Sequence, residues 1–358
     1  MRTGLRERLR DMVKAAKVPG CAVALVASGG RVATAEFGYA DIARRTEVTS
    51  DTVFHYFSGT KLYTATTVMR LCERGRLDVD ELVTAYLPEL ELTHPVTLRQ
   101  LLTHTSGLRD TLSGFLAFHF PDEPMPTASA ALSRYRTTGG KEPGGGAAYR
   151  NVGYAILGAL IARAENRAYT DVVDREVLQP LESAAAFEYR GVMRERAAAG
   201  YIHRLSPMRA VVRLMFRDAA GRLEREAIRG WVPLSEFVLD SSAIGGLVGA
   251  ALDFLPLVRE MLDPEDGLLR SETKKEMLTV QAHGSVGIAS RDGVGLGWKR
   301  GDGFWNHEGG GPGFTSETRI YPADRVGIVI LMNATQSRRL SLLAHEICGA
   351  LRSRPVTE

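Results

Sequence analysis

Cys21-Ala22-Val23-Ala24-Leu25-Val26-Ala27-Ser28 is an apolar run rich in Val and Ala, followed by Gly29-Gly30 and then by Arg31 to Ala40. Two strand-like runs joined by a Gly-Gly turn predict a β-hairpin near the start of the chain. The far end mirrors it. Val294–Arg300, Phe304–Gly309, Phe314–Tyr321 and Val326–Asn333 are short runs separated by Gly, Pro and Asp, and Leu340 to Leu351 closes with a helical pattern. The runs predict further antiparallel strands. Between the two ends the apolar period is helical. Ala65, Val68, Met69 and Cys72 share one face of a helix from about Ser58 to Arg74, stopped at Gly75, and Tyr154–Ala164 and Phe254–Met261 read the same way. Strands at both ends with helices between them predict an α+β fold. One antiparallel sheet, flanked by helices, draws on residues 1–57 and 285–358. A mainly helical region, 58–284, is expected as an insertion, with any functional site expected at the junction.

Composition narrows the function by exclusion. The 358 residues carry 45 Lys+Arg against 42 Asp+Glu, a formal net charge of +3, with 44% hydrophobic and 24% charged residues. This is an ordinary globular balance with enough apolar material for a substantial core. It lacks the strongly basic signature of a dedicated nucleic-acid binder. The longest apolar run, Ala243 to Leu252, falls short of the ~20 residues of a membrane span. Cys21, Cys72 and Cys348 are far apart and odd in number, so they form neither a metal motif nor a disulfide framework and read as reduced core residues. In the first twenty residues Leu5, Leu9, Met12, Val13 and Ala16 recur at helical spacing among Arg and Lys. That is an amphipathic helix rather than the uninterrupted apolar block of a signal peptide, and a cytoplasmic location is expected.

Several chemical signatures are missing. There is no His-Glu-x-x-His, no paired CxxC and no Gly-x-Ser-x-Gly, and Gly309-Gly310-Gly311-Pro312-Gly313 is not followed by the Gly-Lys-Ser/Thr of a phosphate loop. What remains is Ser58-Gly59-Thr60-Lys61. If Ser58 opens its helix, Lys61 lies one turn later on the same face, its amine near the hydroxyl. The helix N-terminus adds positive potential where an oxyanion develops. A serine hydroxyl needs such a neighbour to accept its proton before it becomes a good nucleophile. Ser271-Glu272-Thr273-Lys274 has the same spacing but sits in a charged stretch, and reads as an N-cap followed by a solvated helical turn. Two further patterns favour Ser58. Tyr149-Arg150-Asn151 is the only Tyr-x-Asn, and residues two apart in an extended segment face the same way. His307-Glu308-Gly309 is the only match to its pattern and falls on a predicted strand, where glycine allows a substrate backbone to lie close.

Ser-x-x-Lys, Tyr-x-Asn and His-x-Gly in this order resemble the three motifs of the serine β-lactamase and penicillin-binding protein family. The likeness is greatest to its class C β-lactamase, D-Ala-D-Ala carboxypeptidase and family VIII esterase branch. Val18-Pro19-Gly20, Asp51-Thr52-Val53-Phe54, the stretch from Thr97 to Leu108, Gly245-Gly246-Leu247 and Gly310-Gly311-Pro312-Gly313-Phe314 also resemble recurring segments of that family. The resemblance implies a β-lactamase/transpeptidase-like fold. It implies that Ser58 is the acylated nucleophile and that Lys61 holds Tyr149 partly deprotonated, so that Tyr149 shuttles the proton. Asn151 would bond the substrate or Lys61, and the backbone N–H groups of Ser58 and Gly310 would form the oxyanion hole. His307 and Gly309 would line the substrate's binding strand. Where class C β-lactamases carry Lys-Thr-Gly, this chain has His307, whose charge at neutral pH is conditional. That weakens the grip on a β-lactam's carboxylate and implies slow β-lactam turnover. Lys299-Arg300-Gly301 is a rival Lys-x-Gly, but it flanks the turn-like Gly301-Asp302-Gly303.

The expected activity is therefore hydrolysis of a small-molecule carboxylic ester through a Ser58 acyl-enzyme. A D-amino-acid peptidase or amidase, a weak β-lactamase, an acyltransferase to another acceptor, and a non-hydrolytic sensor are the alternatives. No metal or cofactor is implied, and the oligomeric state is left open. His104 reads as a structural hydrogen-bonding residue, and His55 and His119 as packing residues. Trp298, Trp305 and Phe304 read as core or cleft wall, Cys72 as core, and Glu308 as a substrate contact or a solvent-facing carboxylate. Arg204 to Arg229, basic and amphipathic, reads as a surface helix or as a lid over the cleft.

Overall fold

A computed structural model describes residues 18–111, 114, 117–215, 220–286 and 292–335, together with 7, 10, 11, 13, 14, 343–347 and 349. The sheet is built from eight strands: β1 Gly20–Val26, β2 Val32–Asp41, β3 Thr46–Glu47, β4 Gly293–Val294, β5 Lys299–Gly301, β6 Phe304–Gly311, β7 Phe314–Tyr321 and β8 Val326–Met332. Their spatial order is β4-β5-β6-β7-β8-β1-β2-β3, antiparallel throughout. The two ends of the chain meet in the middle, where Cys21 pairs with Met332 and Val26 with Gly327.

That central position explains why β1 and β8 read as continuous apolar runs rather than alternating ones, since both faces are covered. Ala22, Ala24, Val329 and Leu331 point into the main core beneath the helices. Cys21, Val23, Leu25, Ile328, Ile330 and Met332 pack on the opposite face with Val13, Leu343, Ala344 and Ile347. Val13 and Leu343–Ile347 belong to the two helices expected at the ends, of which residues 7, 10, 11, 13, 14, 343–347 and 349 are described. The predicted hairpin forms, with Val26 opposite Val32, over a longer turn in which Gly29 and Gly30 take φ of 79° and 75°. These left-handed angles are cheap only for glycine.

The helices that matter to the site are α1 Thr60–Glu73, α2 Asn151–Glu165, α3 Pro207–Met215, α4 Ser242–Gly245 and α5 Ala251–Leu262. α5 lies on β8, where the absent side chain of Gly327 leaves room for Val258 and Leu262. α1 stops as expected, with Gly75 at φ 65°. No helix among the described residues is long and apolar enough to cross a membrane.

Three local expectations change. Val294–Arg300 is not one strand but two short ones, because Gly297 at φ 86° turns the chain and sends Trp298 into the core. Ser271 does not cap its helix from outside; it is the first helical residue, and its N–H donates to Asp266 Oδ1 at 2.7 Å. Lys274 is not solvated but buried, 3.1 Å from Glu260 Oε1, because two backbone carbonyls and that carboxylate satisfy it. The second Ser-x-x-Lys therefore builds no site.

Candidate active site

The nucleophile candidate sits on a strained turn. Phe54–His55 pairs with Val248–Gly249, Tyr56 N–H donates to Leu247 O at 2.9 Å, and one 3-10 turn over Phe57–Gly59 leads into α1. Phe57 has φ 45°, a left-handed conformation that is costly for a bulky residue and persists only where packing enforces it. Here its ring stacks on His55, 5.1 Å between centroids, and fills the space a side chain on Gly311 would need. Ser316 Oγ donates to Tyr56 O at 2.6 Å, tying β7 to the same turn.

Lys61 follows on the first turn of α1 and is fully buried. Its Nζ has three polar neighbours: Asn151 Oδ1 at 2.9 Å, Ile244 O at 2.7 Å and Ser58 Oγ at 3.2 Å. Burial holds its pKa well below the ordinary lysine value, Asp110 opposes that shift and Lys299 adds to it. A neutral amine has two N–H donors and one lone pair. An ammonium donates to all three neighbours, whereas the neutral amine donates to Asn151 Oδ1 and Ile244 O and turns its lone pair to the Ser58 hydroxyl.

Tyr149 and Asn151 enter from the start of α2. Tyr149 is the residue before the helix's extended N-cap, Arg150, and Asn151 opens the helix, three residues earlier than the apolar period suggests. The Tyr149 ring lies 5.2 Å from Lys61 Nζ, 4.6 Å from Lys299 Nζ, 4.6 Å from the His104 ring and 6.1 Å from the His307 ring. Its hydroxyl is buried without a well-formed hydrogen bond among the described residues. Burial raises its pKa, the neighbouring Ser58 side chain pulls it down, and Asp110 and Glu308 push it up again.

The Thr97–Leu108 stretch forms the bed for Tyr149. A capping box between Thr97 and Gln100 starts a short helix, Leu98–Leu102. The chain then turns at His104, φ 57°. His104 O accepts from Ala148 N–H at 2.9 Å and His104 Nδ1 accepts from Arg150 N–H at 3.2 Å, clasping Tyr149 from both sides. Asp110, just beyond, is a residue of the candidate site that sequence reasoning misses. It accepts from the backbone N–H groups of Asn151 at 3.0 Å and Val152 at 2.8 Å, and from Asn151 Nδ2 at 3.3 Å. The carboxylate satisfies the free N–H groups at the start of α2 and turns the Asn151 amide so that its oxygen faces Lys61.

The third segment closes the cleft. His307 on β6 is fully buried, and its Nδ1 lies 2.9 Å from Glu308 O, so Nδ1 carries the proton and donates. Burial, with Lys299 and Lys61 nearby, lowers its pKa well below the usual histidine value. Nε2 is then an acceptor, buried and without a partner among the described residues. Gly309 does more than admit a substrate. A Cβ there would stand 2.2 Å from Tyr56 O, 2.3 Å from Ser316 Oγ and 3.0 Å from Ser58 N, so the protein's own backbone occupies that space. Gly310, by contrast, is exposed, and a Cβ added to it would meet nothing within 4 Å. Lys299 does precede a turn, as its sequence context suggests, yet its buried Nζ reaches this wall and pairs with Glu308 Oε2 at 2.8 Å. Glu308 is thus not the solvent-facing carboxylate that the strand pattern allows.

The remaining candidates are structural. His55 stacks between Phe57 and Phe237, and His119 Nδ1 meets Asp240 at 2.9 Å. Trp298, Trp305 and Phe304 are buried, and Cys72 packs partly buried against the core. In the basic stretch, Arg209 forks onto Glu224 at 2.9 and 3.1 Å and Arg222 onto Asp122 and Glu123. Val212 of α3 is buried, while Leu205 and Leu214 are exposed; Phe216 and Arg217 lie outside the described residues.

Nearly the whole chain is similar to known proteins. It is 21% identical over 345 residues to Protein flp of Staphylococcus aureus (strain COL), covering 92% of this chain but only 62% of that curated relative's length. Its fold matches that of D-amino acid amidase from Ochrobactrum anthropi SV3 with a TM-score of 0.81 at 23% identity, covering 99% of both chains. It matches the octameric penicillin-binding protein homologue from Pyrococcus abyssi with a TM-score of 0.80 at 24% identity, over 99% of this chain and 78% of the other. The Beta-lactamase family profile matches residues 5–347, and the chain belongs to the Beta-lactamase family.

Proposed function

We propose that the protein is a serine hydrolase that cleaves carboxylic esters through an acyl-enzyme on Ser58. The observation that carries this reading is the contact of Lys61 Nζ with Ser58 Oγ, 3.2 Å, inside a shell where the other two Lys61 neighbours only accept hydrogen bonds. Lys61 takes the hydroxyl proton as Ser58 Oγ bonds to the ester carbonyl carbon. The resemblance gives this first step to Tyr149; the hydrogen-bond pattern supports Lys61 for it and leaves Tyr149 to return a proton to the departing alkoxide. The carbonyl oxygen, now negative, lies against the backbone N–H groups of Ser58 and Gly310, which Gly309 keeps close by having no side chain. Water then attacks the acyl carbon and gives up a proton to the Tyr149 phenolate, Lys61 returns its proton to Ser58 Oγ as the Ser58–acyl bond breaks, and the carboxylic acid leaves.

His307 is a neutral acceptor rather than a cation, which supports esters over β-lactams. With p-nitrophenyl acetate or butyrate, a burst of one nitrophenolate per active site is expected, absent in Ser58→Ala, together with slow nitrocefin turnover. Turnover unaffected by Ser58→Ala would contradict it. D-amino acid amides form the second arm of the substrate panel.

A further inference from the structure

Lys299 belongs to Lys299-Arg300-Gly301, the chain's Lys-x-Gly, on β5, where it pairs with Asn306 of β6. Its side chain is 5% exposed and that of Glu308 13%, and the two meet at 2.8 Å beside the Tyr149 ring. Glu308 immediately precedes Gly309 and the exposed Gly310, the edge along which a substrate lies in the proposed mechanism. His307, next to it, offers a lone pair rather than a charge. The ammonium on this wall is therefore Lys299, and a carboxylate of the protein already answers it.

We propose that the Lys299–Glu308 pair determines substrate choice: Glu308 occupies the ammonium that would otherwise hold a substrate carboxylate, so the cleft favours substrates with no carboxylate next to the scissile bond. A substrate bearing one would have to crowd two carboxylates around a single, poorly solvated ammonium, or displace Glu308 from it. Like charges brought together in such a site are repelled strongly. Removing the Glu308 charge while keeping Lys299 leaves a buried cation in need of an anion.

The inference rests on the acyl-enzyme reading for its kinetic arm alone. Two thioester substrates share one scissile bond and differ by one charge: benzoylglycyl-thioglycolic acid and its methyl ester. The wild type should prefer the methyl ester. In Glu308→Gln the acid-to-ester ratio of kcat/KM should rise about tenfold or more. Glu308→Asp, which withdraws the carboxylate by one methylene, should move it the same way by less. Adding Lys299→Met to Glu308→Gln should return the ratio to the wild-type value or below. An unchanged ratio in folded Glu308→Gln, or an equal gain for both substrates, overturns the proposal. Calorimetry on Ser58→Ala measures the same discrimination without turnover: Glu308→Gln in that background should tighten binding of the acid and not of the ester. Should the wild type hydrolyse neither substrate, the Ser58 reading fails, and this binding comparison decides the role of the pair by itself.

Discussion

Asp110 holds Asn151 at two points, its backbone N–H at 3.0 Å and its Nδ2 at 3.3 Å, and thereby presents Asn151 Oδ1 to Lys61 Nζ at 2.9 Å. The carboxylate also favours the charged form of Lys61, against the burial that disfavours it. Asp110→Asn keeps the shape but offers one acceptor oxygen where three N–H groups converge. The substitution should lower maximal kcat/KM by about tenfold or more as the Lys61 shell loosens, and cost about 1 kcal/mol as α2 loses its cap. Because the negative charge is gone, the rising limb of the pH–kcat/KM profile should shift to lower pH. A limb that stays in place or moves up would count against Asp110 acting on Lys61.

The wild-type profile itself tests the base. Lys61 must be neutral to accept the Ser58 proton, so activity rises with pH through the depressed Lys61 pKa and then levels off. The midpoint should lie well below 10.5, the ordinary lysine value, in the direction that burial imposes. Lys61→Met should abolish the acylation burst and also lower Tm, since Asn151 Oδ1 and the buried Ile244 O lose their donor. A profile that rises only near pH 10 would assign the first proton transfer to another group.

Gly309 and Gly310 stand side by side and should behave differently. In Gly309→Ala the new methyl would collide with Tyr56 O and crowd Ser58 N, pushing β6 off the nucleophile turn. A loss of about 10²-fold in kcat is expected, with about 1–3 kcal/mol of destabilisation. Gly310→Ala meets open space, and its unfolding midpoint should match wild type. Equal Tm values for the two variants would show that the strand and the turn are not in the close contact described.

Much of this is legible in the linear sequence, and the limits have physical causes. The Ser58–Lys61 pairing follows from helical spacing, and the union of both termini in one sheet follows from where the short Val- and Ile-rich runs fall. Asp110 gives no such signal, because a single carboxylate in a loop has no period and acquires its role only when α2 is brought to it. The turn beside Lys299 is readable from its glycines. Whether a long side chain on a neighbouring strand reaches Tyr149 depends on sheet geometry that spacing does not encode. The left-handed φ of Phe57 is equally hidden, since it is imposed by the surrounding rings rather than preferred by phenylalanine.

His55 should make the fold sensitive to acid. Burial lowers its pKa to about 4 from 6.5, and its Nδ1 has no partner among the described residues. The native state therefore keeps it neutral where the unfolded chain protonates it. The stability this contributes is complete above pH 6.5 and is lost as pH falls toward 4, on the order of 3 kcal/mol in all. His55→Phe, which preserves the stack on Phe57 and Phe237, should flatten that part of the stability–pH curve in urea titrations between pH 7 and 4. An unchanged slope would assign the acid sensitivity to other groups.

The central claim is that Ser58, activated by Lys61, becomes covalently acylated. The most direct measurement is intact-protein and peptide mass spectrometry after reaction with a fluorophosphonate. One adduct per chain is predicted, on the peptide containing Ser58, absent in Ser58→Ala and strongly slowed in Lys61→Met. An adduct on another residue, or labelling that survives Ser58→Ala, would contradict the account.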